Sequence, residues 1–138
     1  MSERRFRVGM PAGLWLHEFG SQVWAAFGVP PYLVGSALGS DMGMAATREP
    51  HDIDVRVILA DKDYEALGLG DPKHPQQNGK WVSLVLAYSA LGRHMTGLPI
   101  DFQIQQQSLA NKKETGPRSA LGRVPLRIAC ARGGRLED

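Results

Sequence analysis

The sequence predicts a small α/β (α+β) domain, a mixed β-sheet with helices packed on one face. Three observations predict it. Helical and strand periodicities follow one another in the order helix, strand, short helix, strand, helix, strand. The two clearest strand candidates, "DIDVRV" and "IDFQI", alternate apolar and polar residues, which leaves one face for packing and one for solvent or a site. The chain has 138 residues, 43% apolar and 22% charged, enough for one hydrophobic core and too apolar for a disordered polymer.

Pro11 to Phe27 reads as the first helix. Leu14, Trp15, Phe19, Val23, Trp24 and Phe27 fall near helical spacing, and Pro11 suits a first turn. Gly28 and Pro30-Pro31 stop it. "YLVG" is a short apolar strand ending at Gly35, and "SALGS" opens a short helix with Ser36 as N-cap. Asp41 to Pro50 is polar and reads as loop, and "DIDVRVIL" as strand. "DKDYEALGLG" begins a short helix that ends at Gly68 or Gly70, and "DPKHPQQNG" is loop. Trp81 to Arg93 is a second substantial helix, and "IDFQIQ" the third strand after Gly97 and Pro99. No internal repeat is visible. Beyond Ser108 only "VPLRIAC" resembles structure, as an edge strand after Pro125. The expected division is a domain over 1–110 and a basic C-terminal tail over 111–138.

Net charge is only +2, but between Lys112 and Arg135 seven Lys and Arg stand against one acid, Glu114. The tail could bind a polyanion such as RNA; a solvated tail is the plainer reading. The lone cysteine, Cys130, has no partner for an internal disulfide or a zinc knuckle. The basic residues near the N-terminus imitate a signal peptide, but His17 and Glu18 interrupt the apolar run. The longest apolar stretch, Trp81 to Leu91, is too short to span a bilayer. The expectation is a cytoplasmic protein with no membrane partner.

The acids carry the chemistry. In "DIDVRV", Asp52, Asp54 and Arg56 share one face; in "IDFQI", Asp101 and Gln103 do. If the two strands are neighbours, three carboxylates lie on one surface and repel each other. Such a set calls for a cation, and hard divalent ions take oxygen ligands. An Asp-x-Asp triplet alone is common by chance, and Gly-Ser alone is usually a turn. The combination is more specific: Gly35-Ser36 after an apolar strand, two acids flanked by Ile53 and Val55, then Asp101 in an apolar strand after an intervening helix.

That combination resembles the nucleotidyltransferase fold of the DNA polymerase β type, in its minimal single-domain form. The residues that carry the resemblance are Val34-Gly35-Ser36, Asp52-Ile53-Asp54-Val55 and Ile100-Asp101-Phe102, within Tyr32 to Ile104. Fifteen residues separate Ser36 from Asp52, somewhat more than the family's usual spacer. Gly39-Ser40 is a shorter-spaced candidate, but "YLV" supplies the strand before Gly35. The resemblance implies a phosphate cradle at Gly35 and Ser36. It implies two Mg²⁺ or Mn²⁺ ions on Asp52, Asp54 and Asp101, with Asp101 accepting the proton of the attacking hydroxyl. The implied reaction moves a nucleoside monophosphate from a nucleoside triphosphate to a hydroxyl of a protein, an RNA or a small molecule, releasing pyrophosphate. A partner protein or a second copy would complete the site of so short a chain.

Other polar residues read more plainly. Arg56 either binds triphosphate or pairs with an acid, and pairing is favoured. Arg48, in the loop before the acids, could reach a phosphate but suits a solvated loop. His51 borders the strand, and His17 and His94 are isolated. Trp15, Trp24 and Trp81 read as core on their helices. Two competing functions remain: a catalytically weak nucleotide- or partner-binding module of the same fold, and an RNA-binding protein acting through the tail.

Overall fold

The computed structural model describes residues 12–35, 52–113 and 118–122. The elements run α1 (Ala12–Phe27), β1 (Tyr32–Val34), β2 (Ile53–Leu59), α2 (Asp61–Ala66), a single 3₁₀ turn (Pro75–Gln77), α3 (Gly79–Thr96), β3 (Ile100–Gln106), α4 (Gln107–Lys113) and β4 (Ser119–Ala120). The expectations for Pro11, for the segment 36–51 with Ser36 and Arg48, and for the strand at "VPLRIAC" lie outside the described residues. Among the described residues, no helix is long and apolar enough to cross a membrane.

The four strands form one mixed sheet in the order β3-β2-β1-β4. β1 runs antiparallel to both β2 and β4, and β2 runs parallel to β3. The parallel pair needs a crossover, and α2 and α3 supply it. α4 runs into the segment whose sequence predicts a tail, and β4 lies within it. The residue after β4, Leu121, is fully buried and donates its backbone N–H to Pro31 O at 2.9 Å. The sheet therefore extends past residue 110.

Alternation is regular in β2: Ile53, Val55, Val57 and Leu59 are buried, and the residues between are half-exposed. β3 repeats the pattern with Ile100, Phe102 and Ile104. Onto this apolar face α1 lays Leu16, Phe19 and Val23, all buried, with Phe27 partly buried beside them. Phe102 is the centre of an aromatic group, with ring centroids of Phe19, Phe27 and Tyr88 within 5.2–6.5 Å of its own. Each fully buried large apolar side chain contributes on the order of 1.5–3 kcal/mol.

The buried stripe of α1 differs from the expected one. Leu14 and Trp15 are 50% and 52% exposed, and Leu16 takes the core position instead. At 3.6 residues per turn, a face through Leu16, Phe19, Val23 and Phe27 leaves Leu14 on the far side. Trp15 is therefore a surface residue, and Trp24 and Trp81 are half-buried. Gly20 belongs to the buried side because Leu121 crosses it: a Cβ there would stand 2.6 Å from Leu121 Cβ.

The helix α3 is longer than expected at both ends. Asn78 caps its start by accepting from Trp81 N at 2.8 Å, and Gly97 ends it in the left-handed conformation. One stripe of α3 seals the outer edge of β3. Trp81 Nε1 donates to Ile104 O at 2.9 Å, Ser89 Oγ accepts from Phe102 N at 3.0 Å, and Arg93 Nε donates to Ile100 O at 3.1 Å. An edge strand with unpaired backbone groups invites another chain; these three side chains occupy that edge. Among the described residues Ser89 is the one buried polar side chain. Ser89→Ala leaves the Phe102 N–H without its partner and is expected to cost about 1–3 kcal/mol. Urea unfolding measures it, and a loss under ~0.5 kcal/mol would mean that water replaces the hydroxyl.

Candidate functional site

The acids come together through strand register. Asp54 pairs across the parallel ladder with Asp101, and across the antiparallel ladder with Val34. One row over, Arg56 pairs with Gln103 on one side and Tyr32 on the other. These residues occupy the face opposite the core, as alternation requires. The loop turn after Val34 places Gly35 directly against Asp54. Gly35 has φ +76°, and a Cβ on it would collide with Asp54 Oδ2. Only glycine combines that dihedral with that closeness. The Gly35 and Asp54 of the sequence motif are thus spatial neighbours although 18 residues separate them.

Arg56 lies between the two carboxylates. Its Nη2 is 3.5 Å from Asp54 Oδ1 and 3.6 Å from Asp101 Oδ2, and its Nη1 donates to Asp101 O at 2.8 Å. The pairing role expected for Arg56 is the one this geometry displays. The side chains are unequally covered: Arg56 is 12% exposed, Asp54 24% and Asp101 40%. The site opens to solvent on the Asp101 side.

Even with Arg56 beside it, the Asp54 carboxyl is held above the usual carboxylate range. Burial is the main cause. Arg56 pulls the other way, while Asp101, Asp52 and a hydrogen bond with the Asp101 carboxyl push it further up. Burial thus outweighs the pull of Arg56 on this carboxyl.

Asp52 stands just before β2 and is exposed; it reaches the pair through its field rather than as part of a preassembled cluster. Among the described residues, no three carboxylate, imidazole or thiol groups converge as a metal-binding set. The donor chemistry nevertheless fits a divalent cation. Oxygen ligands, two carboxylates around a single guanidinium and the greater exposure of Asp101 suit Mg²⁺ or Mn²⁺. Asp54 and Asp101 would hold it, with Asp52 supplying further charge.

Tyr32 was not legible as a site residue. Its position beside Arg56 comes from the antiparallel register of β1 on β2, and "YLV" contains no chemical motif. His17 is placed away from the acids, where its Nδ1 accepts from Gly122 N at 3.0 Å, a structural contact. No known protein family, curated protein or solved structure matches the chain.

Proposed function

We propose that the protein is a metal-dependent nucleotidyltransferase, which moves a nucleoside monophosphate from a nucleoside triphosphate to a hydroxyl acceptor. One observation carries the reading: Asp54 and Asp101 stand opposite each other in the parallel ladder, with Gly35 pressed against Asp54. Two strands thus bring a carboxylate pair to the Gly35 turn, and on this reading the backbone N–H groups of that turn would meet a phosphate. When bound, two Mg²⁺ or Mn²⁺ ions would neutralise charge on the phosphoryl oxygens and lower the barrier to in-line displacement. Asp54 and Asp101 would hold them, with Asp52 at the strand entrance. The more exposed Asp101 suits the proton acceptor, because an incoming hydroxyl can reach it. The acceptor oxygen forms its bond to the α-phosphorus, its proton goes to Asp101, and the bond to pyrophosphate breaks. The acceptor class is a hydroxyl of a protein, an RNA or a small molecule, and a partner protein or a second copy would complete the surface that selects it.

A second reading, a binding module of the same fold that turns nothing over, draws on Arg56. Its guanidinium already bridges both carboxylates and stands in for part of the cation's charge. The two readings part in one assay. Pyrophosphate release is measured from ATP, GTP, CTP and UTP with Mg²⁺ or Mn²⁺, with total RNA and a cell extract as acceptor pools. Nucleotidyl transfer predicts release that chelation abolishes. Triphosphate binding without release under any of these conditions leaves the binding module.

A further inference from the structure

Along the C-terminal half of β3 a cleft of about 250 Å³ opens. Trp81, Gln76, Gln103, Gln105, Gln106 and Lys73 line it. Gln103 and Gln105 stand on the same face as Asp101 by strand alternation, and Gln103 lies roughly 6–7 Å along the strand from Asp101. The cleft and the acid pair therefore share strand β3, with Gln103 and Gln105 on the acid face and Ile104 and Gln106 on the opposite one. We propose that this cleft seats the nucleobase of the nucleotide whose phosphates meet Asp54 and Asp101. The inference rests on the nucleotidyl-transfer reading and adds where the base is recognised.

The lining chemistry selects the ligand class. Four carboxamides each present two N–H donors and an oxygen acceptor, which match the edge of a purine or pyrimidine. No hydrogen bond within the described residues occupies any of them. Trp81 already spends its indole N–H on Ile104 O. That bond fixes the indole at the wall and leaves its ring as apolar surface for a planar partner. Among the described residues no acid lines the cleft and Lys73 is the one charge, so a cationic ligand gains nothing from them. The volume decides between a base and a whole nucleotide: it falls below the ~300–1,000 Å³ that encloses a drug-sized ligand. A single ring system fits, with ribose and phosphates extending along the sheet toward Asp101.

The test uses the full chain and two variants, Gln103→Leu on the strand and Gln76→Leu on the exposed 3₁₀ turn, where folding is least at stake. Binding of adenosine, guanosine, cytidine and uridine is followed by the indole resonance of Trp81 in ¹H-¹⁵N spectra. The same proteins are assayed for kcat/KM of pyrophosphate release from the four triphosphates. The cleft predicts that at least one nucleoside shifts the Trp81 signal, and that either variant weakens it about tenfold, the scale of one lost hydrogen bond. It also predicts a flattened base preference in the variants, with the requirement for Asp54 unchanged. Release whose base preference is untouched in both variants overturns the cleft and leaves nucleotidyl transfer standing. Nucleoside binding that the variants weaken, with no release from any triphosphate, supports the cleft and overturns the transfer reading. No nucleoside shift at millimolar concentration overturns the cleft whatever the enzyme assay gives.

Discussion

Asp54→Asn is expected to abolish pyrophosphate release while making the folded protein more stable. Asparagine keeps the shape and removes the charge. On the proposed mechanism that charge would help hold the cations that neutralise the phosphates, and removing such electrostatic stabilisation costs about 10²–10³-fold. Stability moves the other way. The folded protein holds the Asp54 carboxyl above its ordinary range through burial first, with Asp101 and Asp52 adding to it against the pull of Arg56. Ionising Asp54 is thus harder in the folded chain than in the unfolded one. The stability tied to this group is present below the unfolded carboxylate value of about 3.9. It is lost as pH rises through the higher folded value. At neutral pH the wild type bears that cost and Asp54→Asn does not. Arg56 keeps Asp101 as carboxylate and as carbonyl partner in the variant. Thermal melts at pH 7 and pH 3 check the sign: the variant should melt higher at pH 7, and the difference should shrink toward pH 3. Mg²⁺ should raise the melting temperature of the wild type and leave the variant unchanged. A variant that melts lower at pH 7 would mean that the Arg56 pair outweighs burial.

Gly35→Ala is the second large effect, and it tests the other half of the site. The position has φ +76°, and a side chain in that region costs about 1–2 kcal/mol. The new methyl also meets Asp54 Oδ2, so the carboxylate must swing away or the turn after β1 must open. A displacement of ~1 Å in a reacting group is worth about a hundredfold in rate. The variant is expected to lose at least that factor in pyrophosphate release and to melt lower. It differs from Asp54→Asn in a way the two assays separate: activity falls in both, while stability rises in one and drops in the other. Wild-type release from Gly35→Ala would remove the phosphate cradle from the proposal.

Arg56 separates the enzyme reading from the binding-module reading most directly. Its alternation with Asp52 and Asp54 put it on the acid face from the residues alone. Which of its two expected roles it plays depended on Asp101 coming within 3.6 Å from the neighbouring strand. In an enzyme, the arginine holds two carboxylates apart in charge until a stronger cation competes for them. In a binding module it is the resident countercharge. The melting response to Mg²⁺ reports which of these the site permits.

Local patterning assigns α1, β1, β2, α2, α3 and β3 and the faces of the two long strands, but not α4 or β4. Period-2 alternation in β2 and β3 assigned Ile53, Val55, Ile100 and Phe102 to the core and Asp54, Arg56 and Asp101 to the opposite side, because a strand has no other way to orient its side chains. Gly97 marks a break after the second long helix through local backbone chemistry, whereas the Asn78 cap that starts this helix three residues before Trp81 emerges only in the structure. Three further matters were decided only in the tertiary structure. The register that sets Asp54 against Asp101 is a property of two strands 41 residues apart, and nothing local specifies it. The buried face of α1 was settled by where β4 and Leu121 lie across Gly20, so Trp15 faces outward although its helix is apolar on several sides. β4 itself, two residues long, is too short for any periodicity to announce; it exists because β1 offers a free edge. Alternation is local and travels with the chain, whereas register, edge pairing and the choice between apolar faces are settled by which distant segments meet.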